Sequence, residues 1–218
     1  SGMEHIDVQT AKENNIVCLN CPEGNKDAVA EHAIGQILCL FNKINSSNDE
    51  IKNGLWNREK NRGIELMNKT IGVIGYGPQG KSQSLNLRDS SRNVIVGVRK
   101  GDSYNQALQD GWVPGETLFS IDEATYRADM VKYLLSDVGQ IKSWDLVKPN
   151  LKQGDMLYFS HGFGITYNQH TGIIPPNDVD VVLVAPKGAG ISVREKYLEG
   201  KGINCSFAVY QDYSGKAR

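Results

Sequence analysis

Ile71-Gly-Val-Ile-Gly-Tyr-Gly-Pro-Gln-Gly80 is the stretch whose reading decides the fold. Residues 71–74 form a short apolar run of the kind that a parallel strand buried on both faces requires. Gly75, Gly77 and Gly80 follow at G-x-G-x-x-G spacing. In such a loop Gly75 permits the tight turn, Gly77 lets backbone approach a pyrophosphate, and Gly80 lets the next helix pack on the strand. The helix N-terminus then faces the anion. Taken alone, the triplet reads equally well as an ordinary turn. Its place after one strand, before a helix at 82–88 and a second strand at 94–98, points to a dinucleotide site.

The chain has 218 residues, 39% of them hydrophobic, and a formal net charge of −1, enough for one good core plus an appendage. This balance favours neither nucleic acid nor membrane as a partner. The longest mostly apolar stretch, 33–41, is too short to span a bilayer, and no basic-then-apolar leader is seen, so a cytoplasmic protein is expected. Ser1-Gly2 reads as a cloning remnant or a truncation. Cys18, Cys21, Cys39 and Cys205 are expected as reduced thiols. Cys18-x-x-Cys21 lacks the second ligand pair that zinc would need, and a strand end before Pro22 is preferred to a metal site or a redox dithiol.

The first part of the chain reads as a helix at 6–13, a strand at 16–19, and a long helix from Asn25 to about Ile44, broken by Asn45-Ser-Ser-Asn48 and followed by a short helix at 49–56. Ala33 to Leu40 is apolar nearly all round, which predicts cover on more than one side and hence a homodimer. After a seam at about residue 69, strands are expected at 71–74, 94–98, 130–135, 156–160, 179–184 and 205–210. The expected fold is α/β, a Rossmann-type doubly wound parallel sheet with an N-terminal helical extension, divided at 1–68 and 69–218. Ligands of such sheets bind at the carboxyl ends of the strands, where Arg99-Lys-Gly-Asp-Ser103, Ser136-Asp137, His161-Gly-Phe163 and Ala185-Pro-Lys-Gly188 fall. An NAD enzyme usually ends its second strand on a carboxylate that binds the ribose 2′-hydroxyl. Here Arg99, Lys100 and Ser103 favour a 2′-phosphate, hence NADPH, with Asp102 arguing against and a solvated basic turn as the plainer alternative.

From about Lys69 the chain resembles the amino-terminal, NADPH-binding domain of ketol-acid reductoisomerase. The resemblance rests on Gly75-Tyr-Gly-Pro-Gln-Gly80, Leu85-Asn-Leu-Arg-Asp89, Val96-Gly-Val-Arg-Lys100, Asp110-Gly-Trp-Val-Pro-Gly115, Tyr158-Phe-Ser-His-Gly-Phe163, Val184-Ala-Pro-Lys-Gly188 and Gln211-Asp-Tyr-Ser-Gly-Lys216, in that order. It implies that Arg99, Lys100 and Ser103 hold the adenosine 2′-phosphate. It places the pyrophosphate on Gly75, Tyr76, Gly77, Pro78, Gln79 and Gly80, with Leu135, Ser136 and Gln140 along the cofactor. It also implies catalytic-site roles for His161 and Lys187, beside a keto or hydroxy acid and its magnesium-held water. Read without it, His161 is either a site histidine or an ordinary turn histidine, and Lys187 is most simply solvated. The family holds its paired magnesium ions on Asp and Glu side chains of an all-helical second domain, so no metal ligand is expected in this chain.

Residues 1–70 resemble the interdomain and dimerisation stretch of D-2-hydroxyacid dehydrogenases of the phosphoglycerate dehydrogenase type, through Gly2-Met-Glu-His-Ile-Asp7, Asn20-Cys-Pro-Glu-Gly-Asn25, Val29-Ala-Glu-His32 and Gly63-Ile-Glu-Leu66. The two resemblances together imply a chimera. Glu31-His32 is read as part of the helix and not as an acid/base pair. The parent reaction implied is rearrangement and NADPH reduction of 2-acetolactate-type substrates to 2,3-dihydroxy acids. A D-2-hydroxyacid dehydrogenase and a non-catalytic, dimeric NADPH-holding module are the rival readings.

Overall fold

A run of buried apolar residues cannot sit at a sheet edge, and the strand that precedes the glycine loop accordingly lies at the centre. The computed structural model describes residues 7–18, 43–59, 61, 69–215 and 217. The chain divides into two compact units, Ser1–Gly63 and Ile64–Arg218, each taken by itself below.

In the larger unit, β1 (Thr70–Ile74) pairs in parallel with β2 (Asn93–Gly97) on one side and β4 (Met130–Tyr133) on the other. With β3 (Leu118–Phe119), β5 (Met156–Phe159), β6 (Asp180–Pro186) and β7 (Cys205–Gln211), the strands run in the order β3-β2-β1-β4-β5-β6-β7. All neighbours are parallel except β6 and β7, which are antiparallel. The expectation of a parallel sheet therefore fails at its last strand. The connection from β6 holds one helix and returns to the same end of the sheet, where Cys205 pairs with Pro186, and β7 is largely exposed along its length, as an antiparallel edge can be. The two-residue β3 is too short to have left a pattern in the sequence.

Helices cover both faces. On one, α5 (Ile121–Arg127) and α6 (Asp137–Val147) pack over Ile74, Val131, Tyr133, Leu157 and Phe159. In α6 the buried residues Gln140, Ser143, Trp144 and Val147 recur at three- and four-residue spacing, which gives one core-facing stripe. Two single-turn helices, α7 (Phe163–Thr166) and α8 (Asn168–Thr171), follow β5. On the other face lie α3 (Pro78–Asp89) and α4 (Asp102–Gln109), over a core that includes Val73, Val96, Trp112 and Tyr158. Helix α9 (Gly190–Leu198) packs on α3, with Arg194 bonded to Asp89 Oδ2 at 2.6 Å and to Asn86 Oδ1 at 2.9 Å.

In the smaller unit, α1 (Val8–Glu13) is capped by Asp7, whose carboxylate accepts from the Thr10 amide at 3.0 Å. Helix α2 (Ile44–Lys52) runs straight through Asn45-Ser-Ser-Asn48, where a break was expected. Ser and Asn cost an exposed helix only about half a kcal/mol each relative to Ala, which is too little to break it. The strand expected at 16–19 is not formed by residues 16–18, and Ile16 and Val17 are 62% and 79% exposed. The helix expected from Asn25 lies outside the described residues up to residue 42, as do Cys21 and Cys39, and Lys43 is left-handed, so the expected helix does not continue through it into Ile44.

One residue breaks the apolar pattern of the central sheet. Lys132, in β4 between Val73 and Tyr158, has no ion pair among the described residues, and its ammonium lies 4.2 Å from the centre of the Tyr158 ring. Burial pushes it down from 10.5 to about 8. Below about pH 8 both the folded and unfolded chains carry this proton, and the folded one bears the full cost of the desolvated charge. Between about 8 and 10.5 only the unfolded chain is protonated, so stability rises with pH across that window. The ring face offsets part of the cost. Lys132→Met is therefore expected to stabilise the protein by about 2 kcal/mol at pH 7 and by much less at pH 10.5. Urea unfolding at the two pH values measures this, and equal stability of the two proteins at pH 7 would show that the ammonium reaches water.

Candidate functional site

The turn from β1 into α3 is built around what its glycines exclude. Gly75 has a φ of 103°, and a side-chain carbon there would stand 3.0 Å from the Leu134 carbonyl oxygen and 2.9 Å from Leu135 Cδ2. Gly80 is tighter, since a Cβ would lie 2.1 Å from the Gly75 carbonyl oxygen, so the helix rests on the turn itself. Gly77 is the opposite case, with nothing within 4 Å of where a Cβ would be. It faces open space of the kind a ligand backbone group can enter. Helix α3 begins at Pro78, earlier than the expected Ser82, with Gly77 as its N-cap and no side chain capping it. Its first-turn dipoles are thus presented to that space.

That space is a cleft of about 760 Å³ at the carboxyl ends of β1, β2 and β4. Three segments line it: Gly75, Tyr76, Gly77, Pro78 and Gln79; Arg99, Lys100 and Ser103 with Asp102; and Leu135 with Ser136. Here the strand order reverses around β1, the position at which open α/β sheets bind their ligands. Arg99, Lys100 and Ser103 are exposed, at the entry to α4. Ser136 caps α6, accepting from the Gly139 amide at 3.2 Å, so a second helix N-terminus borders the cleft. A dinucleotide fits these features: glycine backbone at the turn, helix N-termini for phosphate, and two cations beside a hydroxyl.

Two of the expected cofactor residues sit differently. Tyr76 is only 4% exposed, and its ring and hydroxyl belong to the core. The hydroxyl donates to Asp110 Oδ2 at 2.9 Å and accepts from Trp112 Nε1 at 2.7 Å. Burial pushes the phenol well up, so it remains a donor. Gln140 does not line the cleft. It is buried under the end of β4, where its Nε2 donates to the carbonyls of Tyr133 at 3.2 Å and Leu135 at 3.1 Å, while the Tyr133 hydroxyl donates to the Gln140 carbonyl at 2.6 Å. It holds the strand end that carries Leu135 and Ser136.

His161 and Lys187 stand at the carboxyl ends of the neighbouring strands β5 and β6. His161 has a side chain 69% exposed, with Nδ1 3.4 Å from Asp137 Oδ1 and its ring stacked on Phe163. Nδ1 also accepts from the Phe163 amide at 3.4 Å, so the ring is held between that amide and the Asp137 carboxylate. Asp137 opens α6 directly after Ser136, so this pair borders the cleft. Lys187 is exposed, its amide donating to the Asn204 carbonyl at 2.7 Å. The tip of β6 is tied to the glycine turn, since Gln79 Nε2 donates to the Gly188 carbonyl at 3.3 Å and a Cβ on Gly190 would lie 2.3 Å from the Pro78 carbonyl carbon.

Sequence reasoning missed the residues that join these parts. Gln83 Nε2 donates to Gln79 Oε1 and to Ser160 Oγ, both at 3.0 Å, and the Tyr158 hydroxyl donates to the Val184 carbonyl at 2.9 Å and lies 3.2 Å from Ser160 Oγ. The signal was Ser82-Gln83-Ser84, a polar run on a helix that must pack on a sheet and does so with all three residues buried. Among the described residues no group of three or more His, Cys, Asp or Glu side chains is placed to hold a metal ion. Nor is any helix among them long and apolar enough to cross a membrane.

Residues 65–218 match the family described as acetohydroxy acid isomeroreductase, NADPH-binding domain. The chain is 55% identical over 153 residues to a ketol-acid reductoisomerase (NAD(+)) of Desulfosudis oleivorans, covering 70% of this chain and 44% of that protein. It is 56% identical over 152 residues to a mitochondrial ketol-acid reductoisomerase of Neurospora crassa, covering 69% and 38%. Among solved structures, an NADH-preferring ketol-acid reductoisomerase from an uncultured archean superposes with a TM-score of 0.63 at 42% identity, over 70% of this chain and 46% of that one. The chain thus spans less than half the length of the curated relatives it matches. Residues 1–64 fall outside the family match, which lends no support to the dehydrogenase resemblance or to a chimera. With its glycine turn, its strand order and this match over residues 65–218, the chain belongs to the acetohydroxy acid isomeroreductase family, as its NADPH-binding domain.

Proposed function

We propose that this chain is the nucleotide-binding half of a ketol-acid reductoisomerase and that it prefers NADPH to NADH. The observation that carries the reading is the convergence of the Gly75–Gly77–Gly80 turn and the Arg99, Lys100, Ser103 group on one cleft. The pyrophosphate would lie at the N-terminus of α3, the 2′-phosphate against Arg99, Lys100 and Ser103, and the nicotinamide side toward Leu135 and Ser136. NADPH supplies the hydride. The chain's own residues bind and orient it, with Gln140 acting through the end of β4. His161, beside Asp137, exchanges a proton with a substrate oxygen, and Lys187 supplies positive charge to a keto or hydroxy acid carboxylate. The substrates are of the 2-acetolactate type, and magnesium belongs to the parent reaction.

Residues 1–68 are proposed as a dimerising extension and 69–218 as the NADP-binding domain, on the strength of the apolar circumference of residues 33–40. A cytoplasmic location belongs to the same proposal. The Neurospora relative is named as mitochondrial, so microscopy of the tagged full-length protein decides between cytoplasm and organelle.

Charge-assisted hydrogen bonds contribute about 1.5–3 kcal/mol each when well shielded, and less at exposed groups such as these, so a preference for NADPH of about tenfold is expected. Calorimetric titration with the two nucleotides measures it, and Ser103→Asp should abolish it while leaving NADH binding within about twofold. Equal affinity in the parent chain would sink the 2′-phosphate assignment, a live outcome given relatives named for NAD(+) and NADH. With 2-acetolactate, magnesium and NADPH, the 218-residue chain is expected to bind nucleotide without turnover, since two side chains do not replace metal-ion polarisation. Magnesium-dependent NADPH oxidation that vanishes in His161→Ala would overturn this. Light scattering should report a dimer that Ile37→Glu converts to monomer, and a monomeric parent chain at tens of micromolar would count against the extension's role.

A further inference from the structure

The glycine turn has only one side chain by which the core can hold it. Of Gly75, Tyr76 and Gly77, Tyr76 alone reaches inward, its ring edge-on to Trp112 at 6.5 Å between centroids. Its hydroxyl ends on Asp110. The same carboxylate takes Lys81 Nζ from α3, at 2.8 Å to Oδ2 and 3.1 Å to Oδ1, and Gln106 Nε2 from α4 at 3.3 Å. Arg88 of α3 donates to the Asp110 carbonyl at 2.8 Å and lies over the Trp112 ring at 4.9 Å. Asp110 is therefore the point at which the turn, α3, α4 and the segment after α4 meet.

Its place on α4 gives this junction a consequence for binding. Asp110 is the C-cap of that helix, and Asp102 and Ser103 form its first turn. A helix of this length is a rod of about 12 Å, so fixing its C-terminal end against the turn also fixes how far Ser103 stands from the phosphate loop. One adenosine carries both its 2′-phosphate and its 5′-pyrophosphate at a set separation. Its two anchoring sites must be held at the matching distance before the ligand arrives, or binding has to order them.

We propose that Asp110 is a positioning residue for nucleotide binding, holding the glycine turn through the Tyr76 hydroxyl in register with the helix that presents Ser103. The inference rests on the nucleotide reading above. Burial pushes the Asp110 carboxyl up, but the bonds from Lys81 and Tyr76 outweigh it and keep the group below the usual carboxylate range, so the clamp is ionised throughout the neutral range. Lys81 and Arg88 on α3 are the cations that face it, and the Tyr76 phenol faces it from the turn.

The test compares a two-site ligand with one-site fragments. Dissociation constants for NADPH, ADP and adenosine 2′-monophosphate are measured calorimetrically on the whole chain, as parent, Tyr76→Phe and Asp110→Asn, with thermal unfolding as the control for folding. Tyr76→Phe keeps the ring and removes only the hydroxyl, so it serves if Asp110→Asn unfolds. The expected result is that NADPH weakens about tenfold while ADP and adenosine 2′-monophosphate each change by less than about twofold. Unchanged NADPH binding in both variants overturns the proposal, and so does parallel weakening of NADPH and both fragments, which is what general loosening would give. Failure of the parent chain to bind adenosine 2′-monophosphate or NADPH would instead defeat the nucleotide reading itself, and this inference with it.

Discussion

The contact on which the rest of the site depends is the one between Gly80 and the Gly75 carbonyl. No side chain fits between them, because a Cβ would stand 2.1 Å from that oxygen, and this closeness draws the first turn of α3 directly onto the end of β1. Several features follow from it. The helix N-terminus points at the space beyond the strand, so anion attraction is built in before any charged side chain is added. Pro78 at the head of the helix is then close enough to exclude any residue but glycine at position 190, and so α9 is brought across α3 and the β6 tip, with Lys187, is brought to the turn. A larger residue at position 80 would move all three together.

Around this contact the polar interior falls into two groups with different work. On one side of α3, Gln79, Gln83, Ser160 and Tyr158 connect the turn to β5 and β6, the strands that end at His161 and Lys187. On the other, Lys81 and Arg88 connect it through Asp110 to α4 and the Arg99–Ser103 entry. A single twelve-residue helix thus holds the hydride-transfer side and the adenosine side of the proposed cofactor at once. Buried polar groups of this kind are costly unless partnered, and here, the Gln83–Gln79 bond within α3 aside, their partners lie on other elements, which makes their geometry specific to this arrangement.

The central strands and the glycine turn were legible because they obey simple rules. An uninterrupted apolar run at 71–74 is characteristic of a strand covered on both faces, and a glycine triplet directly after it has few other uses. What the sequence concealed was set by side-chain partners that no motif names. Gln140, placed along the cofactor by the family resemblance, is buried, and its amide is taken by the carbonyls of Tyr133 and Leu135. Tyr76 sits in the turn motif, but the direction of its side chain is decided by Asp110 and Trp112, more than thirty residues later. Asp129 and Asp180 were likewise silent. They accept from the Thr70 amide and from Ser214 at the far ends of the strands, contacts that no local pattern announces. The reversed β7 is a matter of topology, and the alternation of its residues is the same in either direction.

On the proposed reading, cofactor choice and fold are carried by different residues, and these differ in exposure. Gly75, Gly80, Tyr76 and Asp110 are packed, so a change at any of them is felt by the sheet or by α3. Arg99, Lys100 and Ser103 are exposed at the mouth of the cleft, where substitution alters charge and hydrogen bonding with little effect on packing. A family can therefore keep more than half of its residues identical, as this chain and its Desulfosudis relative do, while its members carry names that differ in nucleotide. On the proposed reading, selection for NADPH or NADH acts on a surface loop of about five residues, and the buried junction at Asp110 keeps that loop at a constant distance from the pyrophosphate whichever nucleotide it is set to receive.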